Sequence, residues 1–122
     1  MKKILVVDDE NDFCYFLKKN LEAVGGFEVD ICNDGVSGIS KARQWQPDIV
    51  LLDVMMPDMG GGDVATALRD SDITKSIPVI FITALAKTYG LQDKENSLDG
   101  ALFLAKPVII EDLVKAINKI TG

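Results

Sequence analysis

Four short apolar runs in this chain each stop on a side chain that can do chemistry. Ile4-Leu5-Val6-Val7 stops on Asp8-Asp9-Glu10, and Ile49-Val50-Leu51-Leu52 stops on Asp53. Ile77-Pro78-Val79-Ile80-Phe81-Ile82 stops on Thr83, and Ala101-Leu102-Phe103-Leu104 leads through Ala105 to Lys106. Carboxylates brought together at Asp8, Asp9 and Asp53 repel and raise one another's pKa. A divalent cation relieves that repulsion, and a few carboxylates plus water suit Mg²⁺. Lys106 and Thr83 then remain as binding capacity for an anion. An Asp beside a hard cation, faced by an ammonium and a hydroxyl, is a place to put a phosphoryl group on a carboxylate.

These groups converge only if the runs are parallel strands of one sheet, with their C-terminal ends along one edge. The run into Asp53 is apolar without interruption, as in a strand buried on both faces, and Pro57 stops it from continuing. Helical periods separate the runs. Phe13, Phe16, Leu17, Leu21 and Val24 form one apolar stripe, which Gly25-Gly26 ends. Phe27 to Cys32 alternates, as an edge strand with one wet face does. Asn33-Asp34-Gly35 is turn and N-cap chemistry ahead of a helix from Val36 to Trp45, which Gly38 weakens. Asp58 to Gly62 reads as a mobile loop, with Asp63 capping a third helix over Val64 to Arg69. A fourth helix is expected over Lys87 to Ser97 on a poor signal, and a fifth over Glu111 to Ile120 with Leu113, Val114, Ile117 and Ile120 inward. The alternation implies one α/β domain over residues 1–122, three-layered, with right-handed crossovers.

A chain of 122 residues can bury roughly two-thirds of its unfolded surface and needs no disulfide or metal to fold. The net charge of −6 argues against a bare nucleic-acid binder and leaves room for cations and basic partners. With no histidine, the chain has no His triad, His metal site or phosphohistidine of its own. Cys14 and Cys32 make no metal or redox motif and read as reduced apolar fillers. Gly60-Gly61-Gly62 lacks the Gly-Lys-Ser/Thr of a phosphate loop. No apolar stretch approaches the roughly 20 residues of a membrane span, and the N-terminus is too short for a signal peptide, so a cytoplasmic protein is expected.

Val6-Val7-Asp8-Asp9-Glu10, Leu51-Leu52-Asp53 with Met56-Pro57, Thr83-Ala84 and Lys106-Pro107 together resemble a receiver domain of bacterial two-component response regulators, chemotaxis-regulator-like, along essentially the whole chain. The resemblance implies a flavodoxin-like, doubly wound five-stranded parallel sheet of order 2-1-3-4-5 with five helices. It implies that Asp53 is the phosphoacceptor. Asp9 would hold Mg²⁺ directly and Asp8 largely through water, with Asp53 and the backbone carbonyl of Met55 as further ligands. Thr83, the Ala84 N–H and Lys106 would bind the phosphoryl group, and the Lys106–Pro107 bond would be cis. Phe103 would be the switch aromatic that moves with Thr83.

The implied function is a signalling switch. A histidine kinase or histidine phosphotransfer protein phosphorylates Asp53, and the surface of the fourth helix, fifth strand and fifth helix changes to control an output partner. Direct nucleic-acid binding, membrane binding and catalysis beyond its own phosphorylation and dephosphorylation are not expected, and a phosphorylation-dependent homodimer is compatible. Two other classes compete. A haloacid-dehalogenase-like phosphohydrolase would need a second Asp where Met55 stands, and a phosphate-blind docking module would not need the intact polar set. The segment between Thr83 and Lys106 is slightly longer than in many receivers, which puts the fourth helix in doubt. Met55 and Leu85 cannot orient an attacking water by hydrogen bonding, so slow self-dephosphorylation is expected. The chain stops at Gly122, soon after the fifth helix, as a stand-alone receiver or one domain of a longer protein.

Overall fold

The computed structural model describes residues 1–84, 97–98 and 101–122. The strands are β1 (Lys2–Val7), β2 (Phe27–Cys32), β3 (Ile49–Leu52), β4 (Val79–Thr83), β5 (Ser97–Leu98) and β6 (Ala101–Ala105). The helices are α1 (Asn11–Val24), α2 (Gly35–Trp45), α3 (Gly61–Arg69) and α4 (Ile110–Thr121). The sheet order is β2-β1-β3-β4-β6-β5. Its five longer strands are all parallel, and β6 takes the fifth place of the expected 2-1-3-4-5 order. β5 is an addition, a two-residue antiparallel strand that pairs Ser97 with Leu102 and Leu98 with Ala101. The expected helix over Lys87 to Ser97 otherwise lies outside the described residues, but Ser97 itself is strand rather than helix.

The period of two along each central strand divides the core. Ile4, Val6, Ile49, Leu51, Ile80 and Ile82 face Cys14, Leu17 and Leu21 of α1 and Leu113 and Ile117 of α4. Leu5, Val7, Val50, Leu52 and Phe81 face Ala42 of α2 and Val64 and Leu68 of α3. β1 and β3 are therefore apolar on both faces, which explains why their sequences do not alternate. β2 is at the sheet edge, and its Glu28 is exposed between buried Phe27 and Val29.

Three expectations about helices change. In α1 the stripe runs through Cys14, Leu17 and Leu21, while Phe16 and Val24 are exposed. Phe16 instead stacks on Phe13 along the helix surface, with ring centroids 6.4 Å apart. In α4, Leu113 and Ile117 are buried but Ile120, in the last turn, is 37% exposed. α3 begins at Gly61 rather than Val64: Gly60 is its extended N-cap, and Asp63 lies in its first turn rather than capping it. The Asp34 cap holds, its carboxylate accepting from the Ser37 N–H at 2.8 Å. Gly38, poor on helix propensity, is where α2 meets β1; a Cβ there would stand 2.8 Å from Val7 Cγ2.

Deleting core and surface groups should separate cleanly. Leu51→Ala, at a wholly buried position on β3, is expected to cost about 2–5 kcal/mol in urea unfolding. Val24→Ala, 53% exposed at the end of α1, should change stability by no more than about 0.5 kcal/mol.

Candidate functional site

The strand register brings the chemical groups to one edge. Val7 pairs with Leu52, so Asp8 and Asp53 leave the sheet side by side. Thr83 pairs with Ala105, so Lys106 follows directly beside it. Each backbone is held by one more bond of the ladder. The amide of Asp8 donates to Cys32 O at 3.1 Å, that of Asp53 to Val7 O at 3.0 Å, and that of Lys106 to Thr83 O at 3.1 Å. Asp8, Asp53 and Thr83 are all nearly fully buried.

The Lys106 ammonium is the centre of the cluster. It lies 2.9 Å from Asp8 Oδ2 and 3.7 Å from Asp53 Oδ2, and it pairs with the Glu10 carboxylate. The ring of Phe13 lies beneath it, its centroid 4.4 Å away. The Lys106–Pro107 bond is cis. The other Asp8 oxygen accepts from the Glu10 N–H at 2.9 Å. The Asp8 carbonyl accepts from Asn33 Nδ2 at 3.0 Å and from the Cys14 thiol at 3.2 Å. Cys14 and Cys32 are both free thiols. Burial pushes the Cys14 thiol up to about 12 and the nearby Asp8 charge adds to it, so it acts here as a neutral donor.

The electrostatics follow from burial. Burial raises the Asp8 carboxyl above its ordinary value, against hydrogen bonds from Lys106 and the Glu10 amide. Burial, then the neighbouring Asp8 charge, pushes Asp53 up to about 6, against Lys106 and the amides of Met55 and Val54. Burial draws the Lys106 ammonium down, but its bonds to Glu10 and Asp8 outweigh this and hold it at about 12. The lysine is charged at any ordinary pH.

One carboxylate oxygen each from Asp8, Glu10 and Asp53 lies within 4.8 Å of the others, a spacing that could hold a metal ion. An all-oxygen donor set fits a hard cation such as Mg²⁺. Asp9 is exposed on the same turn and is not in this group. Glu10 and Phe13 are the members that the sequence reading missed as site residues. Glu10 had a signal, as the third acid of the run; Phe13 was indistinguishable from its helical stripe. Phe103 stacks on Phe81, with centroids 4.9 Å apart and planes 17° apart. It pairs with Phe81 across the sheet, while Thr83 is two residues beyond Phe81, so Phe103 and Thr83 share one face. Ala84 is exposed just after β4, and Met55 is 63% exposed two residues after Asp53. Leu85 lies outside the described residues.

Asp53 should make the metal-free fold sensitive to pH. Between the ordinary carboxylate pKa and about 6, the folded state binds the Asp53 proton more tightly than the unfolded chain. This contribution to stability is present at acid pH and is lost as pH rises through about 6. Metal-free Asp53→Asn is therefore expected to be more stable than wild type at pH 7, by up to about 3 kcal/mol. The gap should close as pH falls toward 4, read as paired urea titrations across that range.

The model of the response regulator receiver domain matches residues 4–118. The chain is 34% identical over 120 residues to the DNA-binding dual master transcriptional regulator RpaA of Synechocystis sp., covering 97% of this chain and 48% of that protein. It is 37% identical over 120 residues to the response regulator ArlR of Staphylococcus saprophyticus, covering 97% of this chain and 51% of that one. It thus spans about half the length of these relatives. Among solved structures it is similar to the receiver domain of the sensor histidine kinase PA1611 of Pseudomonas aeruginosa, with a TM-score of 0.84 and 25% identity over 99% of this chain and 98% of that one. That receiver carries a magnesium ion coordinated in its active-site cleft. Fold, strand-end residues and sequence agree: the chain belongs to the response regulator receiver domains.

Proposed function

We propose that residues 1–122 form one receiver unit that works as a phosphorylation-controlled switch in the cytoplasm. The observation that carries this is the buried Asp53 carboxylate at the sheet's C-terminal edge, 3.7 Å from the Lys106 ammonium and grouped with Asp8. The donor is a phosphohistidine on a histidine kinase or histidine phosphotransfer protein. An Asp53 oxygen attacks phosphorus, the bond from phosphorus to the imidazole nitrogen breaks, and its electron pair leaves with that nitrogen. The product is an acyl phosphate on Asp53. Lys106, the Thr83 hydroxyl and the Ala84 N–H bind the phosphoryl oxygens.

Mg²⁺ would be held by Asp8, Asp9, Asp53 and the Met55 carbonyl, with Glu10 beside them, and when bound it neutralises charge on the carboxylate and phosphoryl oxygens. Drawing the Thr83 hydroxyl toward Asp53 opens space on the face it shares with Phe103, which moves inward. Movement of that stacked ring alters β6, α4 and the segment before them. The phosphoryl group shifts the population between the two arrangements by binding one better. The partner that reads the change is a protein, or a domain of the same polypeptide.

Incubation with acetyl phosphate and Mg²⁺, followed by mass spectrometry, should place one phosphoryl group on Asp53, lost on treatment with hydroxylamine. Asp53→Asn should not be labelled, and chelation of Mg²⁺ should suppress labelling of wild type; equal labelling of the mutant would show that Asp53 is not the acceptor. With Met55 and Leu85 unable to orient water, the isolated phosphoprotein should keep its label for minutes or longer. Loss within seconds would exclude slow self-dephosphorylation.

A further inference from the structure

Gly61 is the first residue of α3 and is buried, although its neighbour Gly62 is exposed. A Cβ built on Gly61 would lie 2.1 Å from the backbone oxygen of Asp53, 2.9 Å from Val54 Cα and 3.0 Å from Asp53 C. All three are backbone atoms, so no side-chain rotation can relieve the contact. The backbone conformation of Gly61 is not a left-handed one that calls for glycine. On helix propensity alone alanine would be the better residue. What requires glycine is the approach of the α3 N-terminus to the peptide that follows Asp53.

That peptide is gripped from both sides. The Asp53 amide donates to Val7 O on β1 at 3.0 Å, and the Gly61 amide donates to Val54 O at 2.9 Å. β1 therefore holds Asp53 from the sheet, and α3 closes on it from the far end of the loop. We infer that Gly61 is a positioning residue for Asp53: its missing side chain lets α3 seat against the Asp53 carbonyl and sets where the carboxylate stands relative to Lys106. The inference rests on the reading of Asp53 as phosphoacceptor only for its effect on rate. A methyl group at Gly61 must drive the two backbones apart by about an ångström, and a displacement of that size at a reacting group can cost up to about a hundredfold in rate.

The neighbouring glycines supply a graded series. A Cβ on Gly62 meets nothing within 4 Å, and one on Gly60 meets only Val54 O, at 3.2 Å. Gly61→Ala, Gly60→Ala and Gly62→Ala are compared with wild type at a temperature where melting curves show each folded. Two quantities are read: the rate of Asp53 labelling by acetyl phosphate with saturating Mg²⁺, and the Asp53 carboxyl carbon resonance in the metal-free protein by nuclear magnetic resonance. Gly61→Ala is expected to slow labelling about 10- to 100-fold and to shift the Asp53 resonance. Gly62→Ala should do neither, and Gly60→Ala should fall between. A folded Gly61→Ala with the rate and resonance of Gly62→Ala overturns the inference. If Gly61→Ala does not fold, Gly60→Ala decides: a shifted resonance supports the inference, and one equal to that of Gly62→Ala overturns it. If wild type is not labelled at Asp53, the functional reading fails, and the resonance still decides whether Gly61 positions this carboxylate.

Discussion

One ammonium among three carboxylates sets the terms for this molecule. Lys106 stands within ion-pair distance of Asp8, Asp53 and Glu10, and two of those acids are almost wholly buried. Burying like charges together is unfavourable, and a single cation does not cancel three anions. Burial, and after it the uncompensated Asp8 charge, is why the Asp53 carboxyl binds a proton well above the ordinary carboxylate range. A core built for stability alone would place apolar side chains here. The arrangement persists because everything around it is over-determined: β1, β3, β4 and β6 are fixed by a two-faced core, and the site is the point at which that core stops.

Precision at the site comes from the backbone rather than from side-chain packing. The sheet ladder runs one residue past the apolar runs, through the amides of Asp8, Asp53 and Lys106. A register slip of one residue would turn every inward side chain outward, so the site inherits its accuracy from strands whose faces are both buried. The same economy applies at α3, where contact with the peptide that follows Asp53 is made through bare backbone at Gly61. Phe103 is only half-buried and rests on Phe81 by one stacked face.

The parts legible in the sequence were those set by period and punctuation. Uninterrupted apolar runs ending in polar residues gave β1, β3 and β4 and with them Asp8, Asp53 and Thr83, because a strand buried on both faces admits no polar residue until it ends. Gly25-Gly26 and Asp34 marked helix boundaries by local chemistry that survives in the fold. Tertiary contact decided the rest. Gly60-Gly61-Gly62 looks like a loop by propensity, yet Gly61 and Gly62 are helical, and at Gly61 a neighbouring backbone occupies the space of a Cβ. Val24 and Ile120 fit a helical stripe but occupy terminal turns, where there is little left to pack against. β5 has two residues and no periodicity to read.

Glu10 shows how local backbone geometry selects among equivalent acids. The Asp8-Asp9-Glu10 run offers three carboxylates, and composition cannot rank them. The Glu10 amide bonds back to Asp8 Oδ1 as the chain turns into α1, which puts Asp8 and Glu10 on the lysine's side and leaves Asp9 in solvent. The two acids that hold Lys106 are unlike: the Glu10 side chain is 61% exposed, and that of Asp8 is 2% exposed. An exposed pair is worth roughly 0–1 kcal/mol, so the hold of Glu10 is readily given up. The buried pair with Asp8 is not, since separating it would leave a carboxylate without compensation inside the protein. On the reading of Asp53 as the acceptor, an arriving phosphoryl group takes the ammonium from Glu10 while Asp8 keeps it in place. The lysine then shifts its bonds from one oxygen partner to another and need not be rebuilt from solvent.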